Sequence, residues 1–201
     1  MKALVTGFDP FGGDAINPSY EAVRRLPARI GTLEVVTAEL PTSFKRAMPK
    51  LRALIARVQP DIVLCVGLAA DRKAISVERI AVNIDDARLP DNDGAQPIDN
   101  PVMQGGPAAY FSTLPLRRIV ARLNAEKIPC ELSMSAGSFV CNHVFYGLMH
   151  RVAKSKTMTN AGFVHVPALP DRHAARAAKL SELVSALEIV LDVTRRHIGR
   201  K

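Results

Sequence analysis

The sequence has few cysteines, no long apolar run and no nucleotide-binding glycine motif, and each absence removes a class of protein. Three cysteines in 201 residues, Cys65, Cys130 and Cys141, make neither a disulfide framework nor a CxxC pair. No apolar run reaches the length that spans a bilayer, so no membrane partner is expected. The opening Met1-Lys2-Ala3-Leu4-Val5-Thr6-Gly7 is too short for a signal peptide and reads as a first buried strand, which makes a cytoplasmic location the expectation. The glycines of Gly7-Phe8-Asp9-Pro10-Phe11-Gly12-Gly13 fit neither GxGxxG nor a phosphate loop, so no nucleotide is expected. No His, Cys, Asp or Glu cluster has ligand spacing, and neither a metal nor another cofactor is expected.

Charge of one sign is in excess. The formal net charge of +8 invites a nucleic-acid reading. However, Arg24-Arg25, Lys45-Arg46, Arg117-Arg118 and Arg195-Arg196 are spread over separate amphipathic segments without an RNA-binding aromatic signature. A solvated basic surface is the reading, and no nucleic acid is expected.

What is present is alternation. Strand patterns fall at 2–6, 33–38, 61–66, 74–82, 130–134 and 162–166, and helix patterns at 19–26, 43–58, 116–127, 140–153 and 178–197. Leu51, Leu54, Ile55 and Val58 repeat at helical spacing, as do Leu183, Leu187, Val190 and Leu191. The pattern predicts a single α/β domain over 1–201: a three-layer α/β/α sandwich, its sheet mostly parallel with at least one antiparallel strand. Two segments break the rhythm. The loop after the first strand carries Phe8 and Phe11, read as exposed at a strand's C-terminal end, where open α/β sheets bind ligands. The stretch 85–107, rich in proline, glycine and acidic residues, is too long to be filler.

One segment suggests chemistry. Ser133-Met134-Ser135-Ala136-Gly137-Ser138-Phe139-Val140-Cys141-Asn142-His143 runs from a strand through small residues to a cysteine at a helix start. Unpaired backbone N–H groups there favour a thiolate and can hold an oxyanion, so Cys141 is a candidate nucleophile. Cys65 and Cys130 read as small buried hydrophobes. Among five histidines, His143 points away from its neighbour's thiol, His150 shares its helix, and His173 (in a loop) and His197 read as solvated. His165, ending the apolar strand Gly162-Phe163-Val164-His165-Val166, is read at the same sheet edge as Cys141; the alternative is a core histidine bonded to backbone. Glu78 interrupts an apolar strand whose Ala74, Ile80 and Val82 share its face, so it must be paired or neutral. It would either orient His165 or form a structural salt bridge to Arg72, Arg79 or Arg88.

These residues stand in longer motifs. Val5-Thr6-Gly7-Phe8-Asp9-Pro10-Phe11-Gly12-Gly13 with Asn17-Pro18, Gly67-Leu68-Ala69-Ala70, Ile75-Ser76-Val77-Glu78-Arg79-Ile80-Ala81-Val82-Asn83, Asp86-Ala87-Arg88-Leu89-Pro90-Asp91-Asn92, the cysteine segment and Phe163-Val164-His165-Val166-Pro167 occur in order. Together they resemble the type I pyroglutamyl peptidases (pyrrolidone-carboxylate peptidases), cysteine exopeptidases that remove N-terminal pyroglutamate. The resemblance implies a triad of Cys141, His165 and Glu78, with Arg88 and the Cys141 N–H at the oxyanion. It implies a pocket for the pyroglutamyl ring made by Phe8, Phe11, Asn17, Thr42, Phe139 and Val140. It further implies peptides with N-terminal pyroglutamate as substrates, and a homo-oligomer, dimer or tetramer. A cysteine amidase acting on another small neutral acyl group is the alternative. One departure is visible: Ala70-Asp71 stands where members often carry Gly-Gly, which bears on the tightness of that turn.

Overall fold

Phe8, Thr42, Leu68 and His165 come together because four parallel strands end near one edge of a sheet. A computed structural model describes residues 1–155, 160–170 and 173–199, without the side chains of 173–178. Nine strands alternate with five helices among the described residues: β1 (Lys2–Phe8), α1 (Pro18–Val23), β2 (Arg29–Ile30), β3 (Leu33–Leu40), α2 (Ala47–Val58), β4 (Ile62–Leu68), β5 (Ile75–Glu78), β6 (Ile80–Val82), β7 (Ala109–Phe111), α3 (Leu116–Ala125), β8 (Cys130–Ser133), α4 (Val140–Lys154), β9 (Asn160–Val166) and α5 (His173–Ile198).

Seven strands form one sheet in the order β2-β3-β1-β4-β9-β5-β8. The strands β3, β1, β4 and β9 are mutually parallel. The short edge strand β2 runs antiparallel to β3, and β5 runs antiparallel to β9 while carrying β8 parallel to itself. The central strands are buried on both sides, as continuous apolar runs such as Ile62-Val63-Leu64-Cys65-Val66 require. On one face α1, α3 and α5 cover Val5, Leu64, Val66 and Val164. On the other, α2 and α4 cover Leu4, Val63, Cys65 and Phe163. This is the three-layer sandwich that the alternation predicts.

Two expectations are corrected. The stretch 74–82 is not one strand: β5 ends at Glu78, and β6 pairs with β7 in a separate two-stranded sheet. Arg79 is the pivot, its N–H bonded to Ser133 O at 2.9 Å and its carbonyl accepting from Ser112 N at 2.9 Å. Ile80 and Val82 therefore leave Glu78, which shares its sheet face with Ser76 and His165 instead. The strand before the cysteine segment, β8, lies at the sheet edge beside β5 and runs opposite to β9. Residues 134–139 lead from β8 to the start of α4, whose helix packs on the sheet face. Second, His173 begins α5 rather than sitting in a loop, and its side chain lies outside the described residues.

Candidate active site

Cys141 is the second residue of α4, and nothing caps the helix through a side chain at its N-cap, Phe139. First-turn N–H groups have no intrahelical partner, so this end can serve an anion. Asn142 fixes the helix start from the opposite side. Its side chain accepts from Val82 N at 3.0 Å and donates to Val82 O and Ile84 O, both at 2.9 Å. The sulfur lies over Gly67 of β4: a Cβ built there would stand 2.8 Å from Cys141 Sγ and 2.8 Å from Phe163 Cζ.

His165 sits one residue from the end of β9 and is buried. Its Nδ1 lies 2.8 Å from Glu78 Oε1, across the antiparallel β5–β9 pair. With Nδ1–H donating to the carboxylate, Nε2 is the nitrogen left to act as a base. Arg72 Nη1 lies 2.6 Å from the same Oε1, so Glu78 both meets His165 and pairs with Arg72. The two sequence alternatives for Glu78 coexist, and the backbone-bonded alternative for the His165 ring nitrogen Nδ1 gives way to a carboxylate.

Cys141 and His165 line one cavity of about 580 Å³. Phe8, Phe11, Asn17, Thr42, Phe139 and Val140 line it with them, as does Arg88. The structure thus brings together every sequence-predicted site residue except Glu78, which is fully buried behind His165. Arg88 is exposed, and among the described residues its guanidinium makes no hydrogen bond or ion pair. Its segment is held against the cysteine segment by Asp86 N to Ser138 O at 2.9 Å and Ser138 Oγ to Asp86 O at 2.7 Å.

Phe8 is 2% exposed and Phe11 half-buried, not the exposed pair expected of a loop. Phe8 is the last residue of β1 and packs on Phe163, with ring centroids 6.3 Å apart. Phe139 is held between Phe11, at 6.0 Å, and the edge of Phe44, at 5.4 Å. Asn17 caps α1, accepting from Ser19 N at 3.0 Å and Ser19 Oγ at 2.8 Å, and donates to Asp9 O at 2.9 Å. Thr42 is tied to the same loop, its N–H donating to Asp9 Oδ1 at 2.6 Å. The 85–107 stretch closes over both: Asn92 donates to Asp9 Oδ1 and Pro10 O, and Asp91 receives Phe44 N at 2.8 Å.

Sequence reading did not assign Arg72, Phe44, Asp9 or Leu68 to the site. Arg72 was visible as one of three ion-pair candidates, and Asp9 and Leu68 lie inside quoted motifs. Phe44 carries no sequence signal, because its contact with Phe139 exists only in the folded chain. The turn after β4 is not strained by Ala70-Asp71, since neither has a positive φ and Arg72 N closes it on Ala69 O at 3.1 Å.

The thiol departs from expectation. Burial first, then the Glu78 carboxylate and Cys65, push Cys141 up to about 12, while Arg72 pulls the other way. Cys141 is partly buried on the cavity wall, and there desolvation works against the helix start and favours the thiol over a free thiolate. Cys130, read as buried, is partly exposed, with Sγ 3.4 Å from Asn124 Oδ1. His143 turns to Asp85 Oδ2 at 2.8 Å and His150 to the Tyr110 hydroxyl at 2.8 Å, away from Cys141. Among the described residues, no three His, Cys, Asp or Glu side chains are grouped as a metal site would need, and no helix is long and apolar enough to cross a membrane.

A family model described as pyroglutamyl peptidase matches residues 1–196. The chain belongs to the pyroglutamyl peptidase family. It is 44% identical over 195 residues to the pyrrolidone-carboxylate peptidase of Bacillus cytotoxicus, covering 94% of this chain and 91% of that one. It is 46% identical over 201 residues to that of Treponema denticola, covering 96% and 92%. The fold matches the pyroglutamyl peptidase I of Bacillus amyloliquefaciens with a TM-score of 0.90 at 44% identity, over 96% and 94% of the chains. It matches the pyrrolidone carboxyl peptidase of Thermococcus litoralis with a TM-score of 0.94 at 38% identity, over 99% and 95%.

Proposed function

We propose that this protein is a cysteine exopeptidase that hydrolyses the amide bond after an N-terminal pyroglutamyl residue, on a single catalytic domain. The carrying observation is the Glu78–His165 pair opening onto the cavity that holds Cys141 in a chain of this family. Cys141 is the nucleophile, His165 the base and Glu78 the carboxylate that orients the imidazole and stabilises its cation. The Cys141 proton passes to His165 Nε2 as sulfur attacks the pyroglutamyl carbonyl carbon. Desolvation of the sulfur disfavours a free thiolate, which favours transfer coupled to attack. The oxyanion is held by the Cys141 N–H and Arg88, each donor worth roughly 3 kcal/mol. His165 returns the proton to the leaving amine, and a water deprotonated by His165 then hydrolyses the thioester.

Specificity follows from the lactam, which is flat, small and uncharged. Phe8, Phe11, Phe139 and Val140 offer it apolar walls, while Asn17 and Thr42 stand at the same cavity as polar groups. A prolyl group lacks the ring carbonyl and carries a charge, so it would leave polar partners unpaired and be cleaved very poorly. Cytoplasmic location and a homo-oligomer belong to the same proposal. The test is hydrolysis of a fluorogenic pyroglutamyl amide. Wild type is expected to cleave it and Cys141→Ala to lose at least a thousandfold. An inactive wild type, an active Cys141→Ala, or equal turnover of the prolyl amide overturns the reading.

A further inference from the structure

We propose that Arg72 is a positioning residue of this site, whose charge on the shared oxygen of Glu78 keeps His165 available as a base at neutral pH. The inference rests on the triad reading above. Glu78 is fully buried, and its Oε1 meets both His165 Nδ1 at 2.8 Å and Arg72 Nη1 at 2.6 Å. Its Oε2 is buried with no hydrogen-bond partner among the described residues. Arg72 and His165 therefore share the one oxygen through which the carboxylate is held.

A buried carboxylate facing only an imidazole draws a proton onto the pair, either to the ring or to itself. Both outcomes disable the site, because a protonated ring cannot accept from Cys141 and a neutral acid cannot hold the ring's cation. A guanidinium 2.6 Å from the same oxygen opposes proton uptake by either route. It also satisfies the carboxylate while the ring is neutral, so the carboxylate remains ready for the imidazolium.

The second arm of Arg72 reaches the nucleophile's segment. Nη2 donates to Ser135 O at 2.8 Å, and Ser133 Oγ donates to the same carbonyl at 3.1 Å. One planar fork thus ties the base's carboxylate to the chain that runs into Cys141, a geometry Lys cannot reproduce. Arg72 lines the cavity and its side chain is 25% exposed, at the rim rather than on the reacting atoms. The other charged or titratable groups around the pair are Cys141 from α4, Cys65 from β4, and Glu131 from β8, the last bonded to Ser76 Oγ at 2.7 Å. Asp71 and Lys73 flank Arg72 in sequence, Arg79 follows Glu78, and Asp86 and Arg88 line the same cavity. Among the described residues none of these is hydrogen-bonded to Glu78 or His165.

The experiment compares wild type, Arg72→Met and Arg72→Lys by kcat/KM against pH on a pyroglutamyl amide, with an NMR titration of the His165 ring. Arg72→Met is expected to move the acidic limb of kcat/KM to higher pH, because the cation that opposes proton uptake is gone. Its deficit at pH 7 should be tenfold or more and shrink in alkaline buffer. Arg72→Lys should keep the limb near that of wild type while losing kcat through the missing Ser135 bond. If Arg72→Met does not fold, Arg72→Gln replaces it with the same expected shift. A loss of activity or melting temperature with an unmoved limb and midpoint makes Arg72 a structural anchor and overturns the proposal. So does a limb that moves as far in the lysine variant as in the methionine one. Failure of the parent reading is distinct, since it appears as an inactive wild type, whereas the His165 titration reads the Arg72 effect without turnover.

Discussion

At the scale of single residues, the site depends as much on a missing side chain as on those present. Gly67 leaves the space in which Cys141 Sγ and the Phe163 ring meet. In Gly67→Ala the new methyl would displace sulfur, ring or both. A shift of the nucleophile of that order costs about a hundredfold in kcat/KM, and overpacking a further 1–3 kcal/mol or so of stability. Kinetics beside a urea melt separates the two, and near-normal kcat/KM would show that the sulfur's place is not fixed by β4. Asn17 shows a residue with two duties, capping α1 and holding Asp9 beside the cavity. Asn17→Ala should lower stability by about 1 kcal/mol from the cap alone, with a rise in KM if it also reads the lactam. An unchanged KM would confine Asn17 to structure. The motif strings made Asn17 legible as a site residue, but the capping bond became legible only once Ser19 was placed.

At the scale of elements, close approach separates rigid contacts from yielding ones. A Cβ on Gly7 of β1 would stand 2.5 Å from Tyr20 Cα and 2.6 Å from Tyr20 N, backbone that cannot rotate aside. A Cβ on Gly147 of α4 would meet first the flexible side chain of Met48, 2.7 Å from Cε and Sδ. Gly7→Ala should therefore cost about 3 kcal/mol or more. Gly147→Ala should stay within about 1 kcal/mol of neutral, because Ala regains about that much helix propensity. Denaturant midpoints of the two variants check the order, and equal losses would contradict it. Helix α2 and the buried strands β1, β4 and β9 were legible from periodicity because their patterns are long and uniform. The break at Arg79 was not, since alternation continues through 74–82 while the hydrogen bonds that end β5 come from Ser133 and Ser112, far along the chain.

At the scale of the whole molecule, the buried thiol of Cys65 and the partly buried one of Cys141 make stability depend on alkaline pH. Burial pushes Cys65 up to about 12, and burial with the Glu78 carboxylate does the same to Cys141. Both thiols titrate near pH 8.5 to 9 when unfolded, so above roughly that pH the unfolded chain releases protons that the folded chain keeps. The raised folded values thus contribute stability that is complete below about pH 9 and is lost as pH climbs toward 12. Each thiol steepens the fall by at most about 1.4 kcal/mol per pH unit. Urea midpoints between pH 8 and 10.5 should fall for wild type and fall less steeply for Cys65→Ala, whatever its loss at neutral pH. Parallel curves would mean that the Cys65 thiol ionises as readily folded as unfolded.

The sequence by itself determined which chemistry this protein carries. Its motif strings name a thiol, an imidazole, a carboxylate and the aromatic residues beside them, and its alternation of patterns specifies strands between two helix layers. Only the tertiary structure decided how those groups act on one another. His165 and Glu78 are 87 residues apart, and their 2.8 Å bond depends on β5 inserting antiparallel beside β9. Periodicity reports which face of its own strand a side chain takes, but not which strand lies next to it. The same limit explains the thiol. A helix start could be read from the residues around Cys141, whereas the desolvation that opposes it comes from packing over β4 and β9.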